Sequence, residues 1–359
     1  MHTEKKYFTK NLLQWNRTSN TRSMPWKGEK DPYKIWLSEI ILQQTRVEQG
    51  WDYYNRFVAN FPTVSQLAKA PETKVFKLWE GLGYYSRCKN LIKTAKIIVA
   101  AYKGTFPSDY DTILKLKGIG PYTAAAISSF AYNLPYAVVD GNVFRVLSRF
   151  FGNNTPIDST GGKKLFTVLA QELLDKKQPG IYNQSLMDFG AVICKPKSPL
   201  CATCPLQKKC IAFNTSLVDI LPVKEKKITV RKRWFYYLVA GTGGLVLVRK
   251  RGAKDIWENL YEFVLYESNK PLDPGDLLKI PVLKTLTGKK KPVIEWLSAP
   301  YHQKLTHQTI YCQFIKINLA KMPLLDGYET VTQKKLLTLP FPKIITAYLK
   351  DKNVSLNLI

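Results

Sequence analysis

Four of the six cysteines fall within residues 194–210, as Cys194, Cys201, Cys204 and Cys210, in the spacing C-x6-C-x2-C-x5-C. In a cytosolic chain, as expected here, thiols crowded in this way point to a metal group rather than to disulfides. One short loop and two longer ones can wrap a cubane [4Fe–4S] cluster. A four-cysteine zinc site, which ordinarily pairs two C-x2–4-C knuckles, is the other reading, and only Cys201–Cys204 forms such a knuckle. The two other cysteines, Cys88 and Cys312, stand alone.

Charge narrows the partner. Lys plus Arg total 54 against 27 Asp plus Glu, a net of +27. A polyanion is the natural partner, because neutralising phosphates releases condensed counterions. A general bias toward lysine would give the same excess, and charge alone does not separate DNA, RNA and anionic membrane. Apolar residues make up 45% of the 359, which fits a globular chain of two to three domains. No apolar run approaches the roughly 18 residues of a membrane span. The segment Met1-His2-Thr3-Glu4-Lys5-Lys6 lacks the apolar core of a signal peptide, so a cytoplasmic location without membrane is expected.

The texture changes once along the chain. Residues from about 7 to 213 read as amphipathic helices broken at Phe61-Pro62, Phe106-Pro107 and Gly118–Pro121. Beyond Lys232, the segments Trp234–Val239 and Gly244–Val248 read as two strands joined by a glycine turn, and Tyr311–Ile317 alternates like another. The expected architecture is an all-α domain over 1–216, a lysine- and proline-containing linker over 217–232, and a smaller α+β domain over 233–359.

Three local patterns carry chemistry. In Leu114–Ala126 two helices flank a Gly118-Ile119-Gly120-Pro121 hairpin. Its glycines permit tight turns, and amides at the following helix start can bind a phosphate without reading sequence. An ordinary turn between helices has the same outline. Asp140, between Val139 and Gly141-Asn142, is placed at a helix N-cap, where the helix dipole keeps a carboxylate ionised. A plain capping role would explain it equally. Glu39 lies one turn beyond Ile35 and Trp36, an apolar setting that raises a carboxyl pKa as a general acid requires. A buried glutamate paired with a cation is the alternative.

Taken together, the hairpin, Val139-Asp140-Gly141-Asn142 and the cysteine loop resemble the helix-hairpin-helix base-excision glycosylases. Met24-Pro25-Trp26, Ser38-Glu39-Ile40, Gln43-Gln44-Thr45 and Gly81–Arg87 look like the MutY adenine glycosylase branch, over residues 7–213. Tyr122 stands where endonuclease III carries its lysine nucleophile, which implies base removal without strand cleavage. The resemblance implies that Glu39 protonates adenine and manages the incoming water. It implies that Asp140 stabilises the oxocarbenium, with Tyr122 and Asn142 as supporting polar groups. Arg22, Met24, Trp26, Leu42 and Gln184 match positions lining the adenine pocket. Gln44 and Tyr84 match wedges at the lesion, beside the DNA-binding Gly118 and Gly120. Two positions depart from the pattern: Lys27 stands where many relatives have arginine, and Phe144 replaces a basic residue.

The C-terminal residues resemble the Nudix-like domain that verifies 8-oxoguanine on the opposite strand, with Asp255–Phe263 part of the match. Leu305-Thr306-His307 matches its recognition hairpin, with Leu305 in place of an aromatic. The clustered glutamates of a Nudix hydrolase, Arg-Glu-x-x-Glu-Glu, are missing from the sequence. The implied activity is a monofunctional, monomeric adenine glycosylase with a [4Fe–4S] cluster. It would act on duplex DNA carrying A:8-oxoguanine or A:G mispairs. An endonuclease III-like bifunctional enzyme and a non-catalytic damage sensor are the alternatives.

Overall fold

The computed structural model describes residues 2–225, 229–253, 255–288 and 292–351. Met1 of the N-terminal segment, residues 226–228 of the expected linker, and residues 254, 289–291 and 352–359 of the expected C-terminal domain lie outside the described residues. The chain divides into two compact units, residues 1–69 with 90–226, and residues 70–89 with 227–359.

The first unit is helical: α1 (His2–Thr18), α2 (Pro32–Leu42), α3 (Val47–Asn60) and α4 (Val64–Lys69) come first. Helix α5 (Glu72–Trp79) and the first turn of α6 (Tyr85–Tyr102) are counted with the second unit. Then follow α7 (Tyr110–Lys115), α8 (Pro121–Tyr132), α9 (Gly141–Phe151), α10 (Thr160–Leu173), α11 (Pro179–Val192) and the short α12 (Ile211–Asn214). Helices α2 and α8 pack together at the centre, and both are buried along most of their length. Asp31 caps α2 by accepting from the Tyr33 amide, and Pro32 opens it with a preset φ and no orphan donor. Around them α11 lies against α1, α8 and α9. A core of Phe8, Leu12, Trp15, Leu147, Phe150, Phe166 and Phe189 joins α1, α9, α10 and α11.

The second unit is built on an eight-stranded mixed sheet among the described residues. Its strands are β1 (Arg231–Thr242), β2 (Leu245–Lys250), β3 (Tyr261–Glu262), β4 (Val264–Ser268), β5 (Ile294–Leu297), β6 (Tyr301–Lys304), β7 (Gln308–Asn318) and β8 (Glu329–Thr332). The expected strands at 234–239 and 311–317 are parts of β1 and β7, and that at 244–248 belongs to β2 except for Gly244, which lies in the turn. Strand β1 pairs in parallel with β7 and antiparallel with β2 and β4. The unbroken buried run Phe235–Ala240 shows that both faces of β1 are covered. On one face, Tyr236, Leu238 and Ala240 meet Leu277, Ile280, Leu283 and Leu286. On the other, Phe314 stacks on Tyr348 at 3.8 Å and Tyr237 stacks on Phe314 at 5.5 Å.

Residues 70–89 differ from the expected grouping, because their polar groups are spoken for inside the second unit. Lys77 Nζ donates to the Leu339 carbonyl at 2.9 Å, and Glu80 Oε1 accepts from the Phe341 amide at 2.8 Å. Lys89 pairs with Glu258, and the Tyr84 and Thr306 hydroxyls share a hydrogen bond of 2.7 Å. Such side-chain links join elements far apart in sequence, which helical periodicity does not register.

Candidate active site

Three elements of the helical unit bring the two carboxylates to one cavity of 380 Å³. Glu39 comes from the buried middle of α2, Tyr122 from the first turn of α8, and Asp140 is the N-cap of α9. The same cavity is lined by Arg22, Met24, Trp26, Leu42, Gln44, Asn142 and Gln184. Every residue expected in the catalytic group and the adenine pocket therefore faces one space.

Glu39 is 6% exposed, and Tyr122 donates to its Oε2 over 2.6 Å. Burial pushes the Glu39 carboxyl up to about 7; the Tyr122 hydrogen bond opposes that rise and the Asp140 charge adds to it. Among the described residues no cation pairs with Glu39; its partner is a phenol. Asp140 accepts from the Val143 amide at 2.7 Å and from Asn142 Nδ2 at 2.8 Å. Helix-end bonding alone would hold Asp140 low. Burial outweighs it, so the carboxyl lies above its ordinary range despite the Val143 and Asn142 hydrogen bonds and the Arg145 charge.

Two arginines of α9 tie this cap to the cysteine loop, and sequence reading missed both. Arg145 donates to Asn142 Oδ1 at 2.8 Å, to the Gly190 carbonyl at 2.6 Å and to the Cys194 carbonyl at 2.7 Å. Arg149 donates to the Lys195 carbonyl at 2.7 Å and to Cys194 Sγ at 3.5 Å. Each sits at helical spacing among apolar residues of α9, and a cation on a buried face was the available signal. Also missed was Asp188, one turn beyond Gln184 on α11 and fully buried.

Cys194 follows α11, and Cys201, Cys204 and Cys210 lie at two 3-10 turns, Cys201–Thr203 and Gln207–Lys209. Cys194, Cys204 and Cys210 pack against the core of the helical unit. Burial pushes the Cys204 thiol up to about 12, and the charges of Cys194, Cys210 and Cys201 add to the rise. Among the described residues no three His, Cys, Asp or Glu side chains close tightly enough on a point to hold a single metal ion. Lys197, Lys208 and Lys209 of this loop are exposed.

The hairpin lies where expected, between α7 and α8. Gly118 has φ +79°, and a Cβ there would stand 2.6 Å from Asn90 Cβ, so both conformation and space select glycine. Gly120 is the N-cap of α8.

Within the second unit, Leu305, Thr306 and His307 form the tip of the β6–β7 hairpin, with Thr306 and His307 exposed. They line a 690 Å³ cavity together with Tyr84, Lys89 and Glu258. Tyr84 has φ +47° and is 44% exposed, which places its ring at the mouth of the Gly81–Gly83 turn rather than in a core. Two carboxylates of the unit are engaged by arginines: Glu262, fully buried, pairs with Arg249 and Arg251, and Asp255 with Arg233 and Arg251.

Residues 37–169 match the model of the HhH-GPD superfamily base excision DNA repair proteins. An adenine DNA glycosylase of Buchnera aphidicola subsp. Baizongia pistaciae (strain Bp) is 35% identical over 347 residues, covering 94% of this chain and 96% of that protein. The solved structure of a thermostable thymine-DNA glycosylase is 30% identical with a TM-score of 0.55, covering 60% of this chain and 98% of that one. A non-covalent endonuclease III–DNA complex shares the fold at 20% identity, with a TM-score of 0.51, covering 60% of this chain and 98% of the other. The chain belongs to the adenine DNA glycosylase family.

Proposed function

We propose that this chain hydrolyses the N-glycosidic bond of adenine mispaired with 8-oxoguanine or guanine in duplex DNA and leaves an abasic site. The observation that carries the reading is the pairing of Glu39 and Asp140 across one cavity, with Glu39 buried, hydrogen-bonded to Tyr122 and protonated up to about pH 7. Adenine is a poor leaving group until protonated. A proton delivered by Glu39 to the base lets the C1′–N9 electron pair depart with it. Asp140, held by Val143 and Asn142, stabilises the positive charge left at C1′ until water adds there, with its proton passing to Glu39. Among the described residues no lysine lines the cavity, which favours hydrolysis over Schiff-base strand cleavage.

The adenine must leave the stack to reach Glu39. Trp26, Met24 and Leu42 offer an apolar seat, and Gln44 and Tyr84 act as wedges that offset the unstacking. The Gly118–Gly120 hairpin and the exposed lysines supply phosphate contacts. Cys194, Cys201, Cys204 and Cys210 would hold a [4Fe–4S] cluster, which would supply a structural tie rather than redox chemistry for this hydrolysis. Four cysteines on one loop, three of them packed against the core of the helical unit, supply the donor set that such a cluster needs. The second unit acts as a Nudix-like reader of the opposite base through Thr306 and His307.

A single-turnover assay on a duplex with one A:8-oxoguanine pair, with and without alkali, tests the reading beside Glu39→Gln. Strand breaks that need alkali and vanish in the variant are expected. Breaks without alkali would contradict simple hydrolysis, and no excision by DNA-bound protein would favour a sensor.

A further inference from the structure

We infer that Asp188 sets the base selectivity of the pocket by holding the Gln184 side-chain amide in one orientation, an inference that rests on the adenine-excision reading above. Asp188 lies four residues beyond Gln184 on α11, the spacing that stacks two side chains on one helix face. It is fully buried, and four donors converge on it. Its Oδ1 accepts from Arg22 Nη1 at 2.8 Å and from Gln184 Nε2 at 2.9 Å. Its Oδ2 accepts from Asn20 Nδ2 and from Lys27 Nζ, each at 2.9 Å. It does not line the reaction cavity, so its effect on the chemistry passes through the residues that do.

A carboxylate between two cations can only accept. The Gln184 atom turned toward it must therefore be the amide nitrogen, since a carbonyl placed there would face an anionic oxygen. The bond fixes where Gln184 Oε1 lies, and among the described residues no donor meets that oxygen. An unrestrained glutamine amide can turn over and present either a donor or an acceptor. Locked by Asp188, it holds that acceptor and its second, unused N–H in fixed places. A purine with an exocyclic amine at position 6 supplies the matching donor. A purine with a carbonyl there brings a second acceptor and leaves both oxygens unpaired, which a desolvated site penalises heavily. Lys27, which departs from the arginine of many relatives, still supplies a donor to Oδ2, so the lock survives that replacement.

The test is the ratio of single-turnover excision rates for adenine and hypoxanthine, its 6-oxo counterpart, each opposite 8-oxoguanine in the same duplex. The wild-type chain is expected to prefer adenine by on the order of 100-fold or more. Asp188→Asn frees the Gln184 amide to turn over, and the ratio should fall by about tenfold. Gln184→Met, which leaves the Asp188 ion pairs in place, should lower it as far. The double variant should show no additional fall, because Asp188 acts through Gln184. An unchanged ratio in Asp188→Asn, or two losses that multiply in the double variant, would overturn the inference. If Asp188→Asn does not fold, Asp188→Ser, which has no carboxylate to hold the amide, takes its place with the same expectation, and an unchanged ratio in Gln184→Met overturns the inference by itself. A wild-type chain that removes neither base would instead defeat the adenine-excision reading.

Discussion

The Tyr122 hydroxyl donates to Glu39 Oε2 across 2.6 Å, and the proton between them belongs to the phenol. Burial and the negative charges of Glu39 and Asp140 push the Tyr122 pKa well up, so it does not give that proton away. The bond favours the charged form of Glu39 and so works against the burial that raises it. Tyr122→Phe removes this opposition. The Glu39 pKa should then rise from about 7, and the acid should stay protonated to higher pH. The alkaline limb of the single-turnover pH–rate profile is expected to move up by about one pH unit. A limb that stays in place or moves down would show that Glu39 does not govern it.

The same burial costs stability. The folded carboxyl holds its proton to about pH 7 and the unfolded one only to its ordinary value of 4.5. Between these values the folded chain binds more protons, so its stability falls as pH rises through that window and stays lower above it. Glu39→Gln can still accept from Tyr122 and has no charge to bury. Its stability relative to wild type should grow from pH 4.5 to 7 and level off at about 3 kcal/mol in favour of the variant. Denaturant melts at pH 5 and pH 8 check this. Equal stabilities at pH 8 would mean that Glu39 ionises freely.

Patterns local in sequence were legible from the residues alone, and relationships across the fold were not. The Asp140 cap, the Gly118–Gly120 hairpin and the strands at β1, β2 and β7 each leave a mark within a few residues. The apolar setting of Glu39 was legible because Ile35 and Trp36 precede it by one turn on its own helix. The Asp188 hub draws donors from residues 20, 22, 27 and 184, so neither composition nor periodicity isolates it. The attachment of residues 70–89 to the second unit depends likewise on Lys77 and Glu80 meeting Leu339 and Phe341, more than 200 positions away. Whether Asp140 is held low or high was also hidden, because burial is a property of the assembled pocket.

Gly190 sets how closely α11 approaches the start of α9. A Cβ added there would stand 2.6 Å from Asn142 Cβ and 3.1 Å from Asn142 Cα, and neither atom can swing aside as a flexible side-chain end would. Gly190→Ala should therefore displace the Asp140–Asn142 turn, at a cost of about 1–3 kcal/mol for the overpacked contact. Excision should fall by at least about tenfold while binding to undamaged duplex changes little, since the hairpin at Gly118 is not touched. Parallel single-turnover and equilibrium binding measurements separate the two effects. A variant with wild-type excision would mean that the helices part without moving the carboxylate.

Arg145 joins the carboxylate cap to the cysteine loop through one guanidinium. It is 8% exposed and satisfies Asn142 Oδ1, the Gly190 carbonyl and the Cys194 carbonyl. Arg145→Met keeps much of the packing volume and leaves these buried acceptors unpaired. Each orphaned acceptor costs on the order of 1 kcal/mol, so about 3 kcal/mol is expected in all, or a Tm lower by roughly 5–10 °C. Losing the Cys194 carbonyl contact should loosen the first cysteine, and losing the Asn142 contact should loosen Asp140. Iron content and excision rate should therefore drop together. Arg145→Lys restores the charge without the planar fork and should recover only part of each. Thermal melts, iron analysis and single-turnover assays on the same preparations test the connection. Full iron with slow excision would assign Arg145 to the carboxylate alone, and normal excision at reduced iron would sever the loop from the active site.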